Sequence, residues 1–451
     1  MKVTIAKSEV KGKVVVPTSK SMTIRALMCA AVTRGNTEII NPLVSDDTSI
    51  AAEVLGKVGI SIQKDKDVWR VTGGTLKAPV TPDLYCGESA TTLRFMMAIC
   101  SLIPGEHQLV GGPSLSKRPV RSLVEALGKL GVKCDMAGKT TPPVTVTGGT
   151  LKGGPTELPG NISSQFISAL LLIAPFAEKE VSIRLTTPLT SKPYILMTLS
   201  CLRRFGIGVR TEMDKFIVRR QRYKATRFKV DGDWSSASYF LALGAFSEGI
   251  TVDNLSTASL QGDRALLDFL RLMGASVRLA GNSVIVSQAP LKAIHADLSD
   301  CIDLLPTVAV LAAMAAGISE FTGIERARIK ESNRVAAVKE GLSRLGISVM
   351  EDRDRLTIVG MKKVAKPGMG GEEEEEEKVA EKEKAAAAAD REKSPVVIDS
   401  HNDHRIAMAF GVLGAVLGGI TIDGAECVNK TYPGFWDALK SVGGKLKIDA
   451  Q

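Results

Sequence analysis

The chain has 451 residues, 44% of them hydrophobic, and a formal net charge of +9. That length exceeds one ordinary core, so two domains of about 200 residues are expected, each folded and globular. Aromatic residues make up only 4%, which argues against stacking platforms for single-stranded nucleic acid and against reading the basic charge as a nucleic-acid footprint.

At the N-terminus, MKVTIAKSEVKGKVVV alternates like a strand and lacks the apolar core of a signal peptide, so a soluble, cytoplasmic protein is expected. The longest apolar runs, around 304–318 and 407–422, are too short or too glycine-broken to span a bilayer, and no membrane partner is expected. Seven cysteines (29, 86, 100, 134, 201, 301 and 427) are scattered without a Cys-x-x-Cys pair, which predicts reduced, mostly buried thiols.

A repeat organises the chain. Six times a short polar cluster opens an Ala- and Leu-rich helix: SKSMTIRALMCAA at 19, GESATTLRFMMAI at 87, GNISSQFISALLLIA at 160, GDWSSASYFLALGA at 232, SDCIDLLPTVAVLAA at 299 and SHNDHRIAMAFGVLGA at 400. After each, a second, amphipathic helix ends in a glycine and turns into a strand, which makes Gly59, Gly131, Gly206, Gly274, Gly346 and Gly443 the expected helix-terminating glycines. These glycines are 72, 75, 68, 72 and 97 residues apart. The long last interval contains a low-complexity stretch, 366–394, with glutamates at 372–377 and alanines at 385–389, read as a solvated surface excursion. Residues 372–393 carry a net charge of −5, so the rest of the chain carries +14. Strands such as VTVTGG, VSIRL, ITVDN and LTIVG separate the helices, giving an α/β protein of six units grouped three and three.

The polar cluster at each helix start has chemical weight, because unpaired N–H groups and the positive end of the helix dipole attract anions. Lys20, Ser21 and Arg25 lie around the first such start; alone they would read as Ser21 capping the helix between two solvated cations. Arg118 precedes Pro119, which suits the first turn of a helix, and Ser163, Ser164 and Gln165 crowd another start where one cap would suffice. In RARIKESNR, residues 326–334, four cations surround Glu331; a solvated face is one reading, an anion site the other. His401 and His404 are spaced as metal ligands could be, but His107 and His295 are the only other histidines, so a hydrogen-bonded His404 beside an anion-binding Arg405 is preferred. Lys430, in NKTYPGF, is an isolated base before a turn.

Taken in order, VPTSKSMTIRA, GESATTLR, SKRPV, GNISSQFISALL, SKPY, GDWSSASYFLA, RIKESNR, NDHRIAMA and NKTYP resemble the motifs of the 5-enolpyruvylshikimate-3-phosphate synthase family over essentially the whole chain outside 366–394. The resemblance implies two similar domains, each of three βαβαββ units, in the arrangement described as an inside-out α/β barrel, with residues 20–229 in one and residues 1–19 plus 230–451 in the other. It implies transfer of the enolpyruvyl group of phosphoenolpyruvate to the 5-hydroxyl of shikimate 3-phosphate with release of phosphate, by a monomer and without a metal or organic cofactor. Lys20, Ala90, Thr91, Arg118, Gln165, Arg334, Arg405 and Lys430 resemble the phosphoenolpyruvate contacts, with His404 beside them. Lys20, Ser21, Arg25, Ser163, Ser164, Gln165, Ser191, Tyr194, Asp303 and Lys330 resemble the shikimate 3-phosphate contacts. Asp303 resembles the base for the 5-hydroxyl, Glu331 the acid that protonates the methylene carbon, and Lys20 a third catalytic group.

Two other readings compete. The sister transferase acting on UDP-N-acetylglucosamine commonly carries a reactive cysteine in a Gly-Gly-Cys run, where this chain has Gly111-Gly112-Pro113. A catalytically inactive anion binder would gain nothing from carboxylates beside its ligand. The chain also departs from the family pattern. Asn333 stands where Asp is usual, Glu88 where Asn is usual, and Ala90 where Gly is usual. Glu88 is expected to point away from anionic substrates or pair with a cation such as Arg94. The Ala90 methyl, where backbone approaches ligand, is expected to confer tolerance to glyphosate, a slightly longer anion than phosphoenolpyruvate.

Overall fold

The structure, a computed structural model, describes residues 1–361, 391 and 393–449. The chain divides into two compact units, each with its own hydrophobic core. One is nearly continuous, Pro17–Asp233 with Ala258–Gly262; the other is split into Met1–Val16, Trp234–Thr257 and Asp263–Gln451.

The six repeats are visible as six four-stranded sheets of one topology. In each, the first strand runs parallel to the second, and the two remaining pairings are antiparallel. In the continuous unit the sheets run 227–229, 35–40, 68–73, 61–64; 83–85, 105–110, 144–148, 133–135; and 154–158, 181–185, 215–218, 210–212. In the split unit they run 396–399, 420–423, 2–6, 445–449; 11–15, 249–253, 283–287, 276–280; and 295–297, 318–322, 355–359, 349–352. None of the described sheets closes on itself, so the expected word barrel does not describe their hydrogen bonding; the sheets are separate.

Each polar cluster opens a helix that is buried nearly all round. In the continuous unit these are Lys20–Val32, Ala90–Cys100 and Ser164–Ile173, and in the split unit Trp234–Gly244, Leu305–Ala313 and His404–Leu417. Their Ala, Gly and Cys positions let them pack on one another inside each unit. Every residue of Ala90–Cys100 is buried, and each large apolar side chain so placed contributes about 1.5–3 kcal/mol. The second helix of each repeat shows solvent one polar face, as in Arg121–Lys129, where Leu123, Ala126 and Leu127 are the buried residues. The six predicted terminating glycines all adopt positive φ, from 77° to 101°, one residue beyond the helix cap. That left-handed step is nearly free of steric cost only for glycine, which is why the repeat is legible in sequence.

All seven cysteines are free, six buried and Cys134 half-buried. Among the described residues no helix is long and apolar enough to cross a membrane, and no three His, Cys, Asp or Glu side chains are grouped as a metal site. Apart from Arg391, Lys393 and Ser394, the expected surface excursion at 366–394 lies outside the described residues.

Candidate active site

In the continuous unit, Ser19 and not Ser21 takes the N-cap of helix Lys20–Val32, which places Lys20, Ser21 and Arg25 on its first two turns. Neither cation is solvated. Lys20 Nζ lies 2.9 Å from Asp47 Oδ2. Arg25 is 1% exposed and donates from Nε to Thr198 Oγ1 (2.8 Å), from Nη1 to the Ser21 carbonyl (3.0 Å) and from Nη2 to the Tyr194 carbonyl (3.3 Å). Its guanidinium also lies over the rings of Phe95 and Tyr194. Burial lowers the Arg25 pKa to about 10, which still leaves it charged at neutral pH. Ser191 caps helix Lys192–Arg204 from a left-handed conformation (φ 55°), and Tyr194 follows in the first turn.

A second cluster joins two helix starts. Gln165 donates from Nε2 to Thr91 Oγ1 (3.0 Å) and accepts at Oε1 from Arg94 Nη1 (2.7 Å). Arg94 also reaches Ser163 Oγ (3.2 Å) and the Pro119 carbonyl (3.2 Å), with its guanidinium over Phe166. Ser163 caps helix Ser164–Ile173 by accepting from the Gln165 amide, and Ser164 is that helix's first residue. Ala90 is the first residue of Ala90–Cys100, capped by Ser89. Arg118, buried, ends the short 3-10 helix Leu115–Lys117; Pro119 lies ahead of helix Arg121–Lys129 and not within its first turn. Glu88 points to that same loop, accepting from the backbone amides of Ser114 (3.1 Å) and Leu115 (2.7 Å).

In the split unit the predicted residues converge on Arg334, itself 1% exposed. Its Nε donates to Asp403 Oδ2 (2.8 Å), Nη1 to Asp303 Oδ1 (2.6 Å), and Nη2 to Glu331 Oε2 (2.5 Å). Asp303 also faces Arg405 Nη2 at 3.2 Å and Lys330 Nζ at 3.4 Å, and Glu331 faces Lys430 Nζ at 3.9 Å. The run 326–334 is therefore no solvated face at its C-terminal end. Burial by itself would raise the Asp303 pKa, but Arg405, Lys330 and Arg334 outweigh it and hold the carboxyl well below its ordinary range. Burial dominates at Lys330, whose pKa falls to about 8, with Asp303 working in the opposite direction. His404 opens helix His404–Leu417 and is buried, its Nδ1 3.8 Å from Asp403 Oδ1. His401 is on the surface side of the same loop, beside Glu340 and Asp399.

Asn333 keeps one duty open to either Asn or Asp: its side chain caps helix Arg334–Arg344 by accepting from the Ala336 amide (3.2 Å). Four residues of these clusters were not assigned site roles from sequence. Asp403 both caps His404–Leu417 and binds Arg334, and its place just before an apolar helix was a usable signal. Arg94 sits one turn into the GESATTLRF helix. Asp47 and Thr198 carry no local signal, because their partners Lys20 and Arg25 are 27 and 173 residues away.

The chain matches the family model described as EPSP synthase (3-phosphoshikimate 1-carboxyvinyltransferase) over residues 5–439. It is 46% identical over 455 residues to the 3-phosphoshikimate 1-carboxyvinyltransferase of Dehalococcoides mccartyi (strain 195), with all of both chains covered. To that of Methanospirillum hungatei JF-1 it is 37% identical over 438 residues, 94% of each chain. The solved EPSP synthase of Acinetobacter baumannii has 29% identity and a TM-score of 0.77, over 99% of this chain and 100% of that one. The enolpyruvyl transferase NikO from Streptomyces tendae shares the fold at 15% identity, with a TM-score of 0.75 over 99% of this chain and 98% of that one. With a family match spanning nearly the full length and relatives covered end to end, the chain belongs to the EPSP synthase (3-phosphoshikimate 1-carboxyvinyltransferase) family.

Proposed function

We infer that the chain transfers the enolpyruvyl group of phosphoenolpyruvate to the 5-hydroxyl of shikimate 3-phosphate and releases inorganic phosphate, in aromatic amino acid biosynthesis. The observation that carries the chemistry is the pair Asp303 and Glu331 held on one buried guanidinium, Arg334, among Lys330, Arg405 and Lys430. Four cations face three carboxylates there, counting Asp403, so an incoming anion finds excess positive charge that is already desolvated.

The roles are assigned as the resemblance to the family implies them. Lys20, Arg118, Gln165, Arg334, Arg405 and Lys430 hold the phosphate and carboxylate of phosphoenolpyruvate, with Ala90 and Thr91 against it and His404 supporting the Arg405 helix start. Ser21, Arg25, Ser163, Ser164, Ser191, Tyr194 and Lys330 hold shikimate 3-phosphate, Lys20 and Gln165 contributing to both. Asp303 is a weak base while three cations face it. Anions that engage Arg334 and Arg405 withdraw part of that field and return basicity to Asp303 when the 5-hydroxyl is in place. The 5-oxygen then bonds to C2 of phosphoenolpyruvate as its proton passes to Asp303, and Glu331, having taken up a proton before this step, delivers it to the methylene carbon. Loss of phosphate from this tetrahedral adduct, with a methyl proton returned to a carboxylate, restores the double bond.

The test is release of phosphate from phosphoenolpyruvate that depends on shikimate 3-phosphate. Activity at enzyme concentrations of substrate turnover is expected; none with a folded protein means an anion binder without catalysis. Glu331→Ala should lower turnover about a hundredfold or more, within the range for a proton-transferring group; near-normal turnover removes its assigned role.

A further inference from the structure

We propose that Glu88 is a positioning residue for this reaction: its carboxylate latches the loop that carries Arg118 and so sets the affinity for phosphoenolpyruvate. The proposal rests on the functional reading above. A carboxylate aimed at an anionic substrate would repel it, and here both oxygens are turned to protein amides instead. Oε1 accepts from Ser114 N–H at 3.1 Å and Oε2 from Leu115 N–H at 2.7 Å. These amides open the 3-10 helix Leu115–Lys117, where backbone donors lack partners within the helix. Hydrogen bonds to a charged acceptor are among the stronger ones, and two from one side chain fix direction as well as distance.

The surroundings are built for this contact. Gly112 N–H donates to the Gly87 carbonyl at 2.7 Å, closing the two loops on each other. A Cβ at Gly112 would stand 2.4 Å from Glu88 Oε1 and 2.9 Å from its Cδ, so the carboxylate keeps its place only while residue 112 is glycine. Arg118 is tied to the latched turn through its own N–H, bonded to the Leu115 carbonyl at 3.0 Å. Ala90 and Thr91 begin the helix just after Glu88. One side chain thus joins the segments bearing Ala90, Thr91 and Arg118, all assigned above to phosphoenolpyruvate. An asparagine at 88, shorter by a methylene and uncharged, has no second oxygen to give each amide its own acceptor.

Four proteins test this: Glu88→Ala, Glu88→Gln, Gly112→Ala and the double variant Glu88→Ala with Gly112→Ala. Loss of the two charge-assisted bonds should raise the KM for phosphoenolpyruvate about tenfold in Glu88→Ala, with the KM for shikimate 3-phosphate unchanged. Glu88→Gln, which retains one acceptor, should show a smaller rise. Gly112→Ala should behave like Glu88→Ala, because the new methyl displaces the carboxylate, and the double variant should be no worse than Glu88→Ala alone. An unchanged KM for phosphoenolpyruvate in Glu88→Ala, equal rises for both substrates, or additive effects in the double variant would overturn the latch. If Glu88→Ala does not fold, Glu88→Gln and Gly112→Ala decide by the same readout. Hydrogen exchange at Ser114 and Leu115 tests the latch apart from the reaction. Faster exchange in Glu88→Gln is expected even if the wild-type enzyme releases no phosphate, and unchanged exchange counts against the latch alone.

Discussion

Arg334 concentrates the physical problem of the split unit: a guanidinium at 1% exposure is tolerable only because Asp403, Asp303 and Glu331 surround it. Two of those carboxylates are the proposed proton carriers, and the residue that orients them also helps Arg405 and Lys330 to depress the basicity of Asp303. Asn333, although it departs from the family pattern, sits outside this charge network as a helix cap, and Arg334 keeps its partners. Ala90 poses the corresponding question in the continuous unit. Its single methyl stands at a buried helix start beside Thr91, and glyphosate is longer than the substrate it mimics. We predict that Ala90→Gly makes the enzyme markedly more sensitive to glyphosate while the KM for phosphoenolpyruvate changes little. Inhibition curves for the two proteins check this, and an unchanged half-inhibitory concentration overturns the expectation that the methyl confers tolerance.

At the level of elements, the polar start of a buried helix can serve two purposes, capping the helix and holding a buried charge. Asp403 shows the cost of combining them. It accepts the Arg405 amide at 3.0 Å as N-cap of His404–Leu417 and takes Arg334 Nε at 2.8 Å. Asp403→Ala removes the cap and leaves a buried cation short of a counter-charge, so destabilisation of about 3–5 kcal/mol is expected. Asp403→Asn, which retains a capping oxygen, should lose less. Urea unfolding of the three proteins measures the difference, and equal stability of all three would show that Arg334 is held by Asp303 and Glu331 alone. Much of this scale was legible in advance: the six glycines after the second helices marked every repeat. The N-caps were less legible, since Ser19 and Ser21 are equally good cap residues and only the backbone turn chooses between them.

At the scale of the whole molecule, the continuous unit has its own core and three complete sheets, and only Ala258–Gly262 joins it from elsewhere in the chain. Residues 17–233 expressed alone are therefore expected to fold, with a cooperative thermal transition seen by circular dichroism, yet to release no phosphate, since Asp303 and Glu331 belong to the other unit. Absence of a cooperative transition would mean that this core depends on the rest of the chain. The split unit offers no such fragment, because its sheet 396–399, 420–423, 2–6, 445–449 joins the two ends of the chain.

The repeat, the helix-terminating glycines and the polar make-up of each helix start could be read from the amino-acid order alone, because periodicity, caps and glycines are local signals. That order also raised the expectation that Glu88 turns away from an anion or pairs with a cation such as Arg94. Where such groups find partners depends on residues far away in the chain. Glu88 binds amides 26 and 27 residues away, Arg25 is buried against Thr198, and Lys20 is neutralised by Asp47. Charge partners are chosen by which elements pack together: the cations packed around Asp303 hold its pKa down against burial, whereas at Lys330 burial outweighs the opposite pull of Asp303.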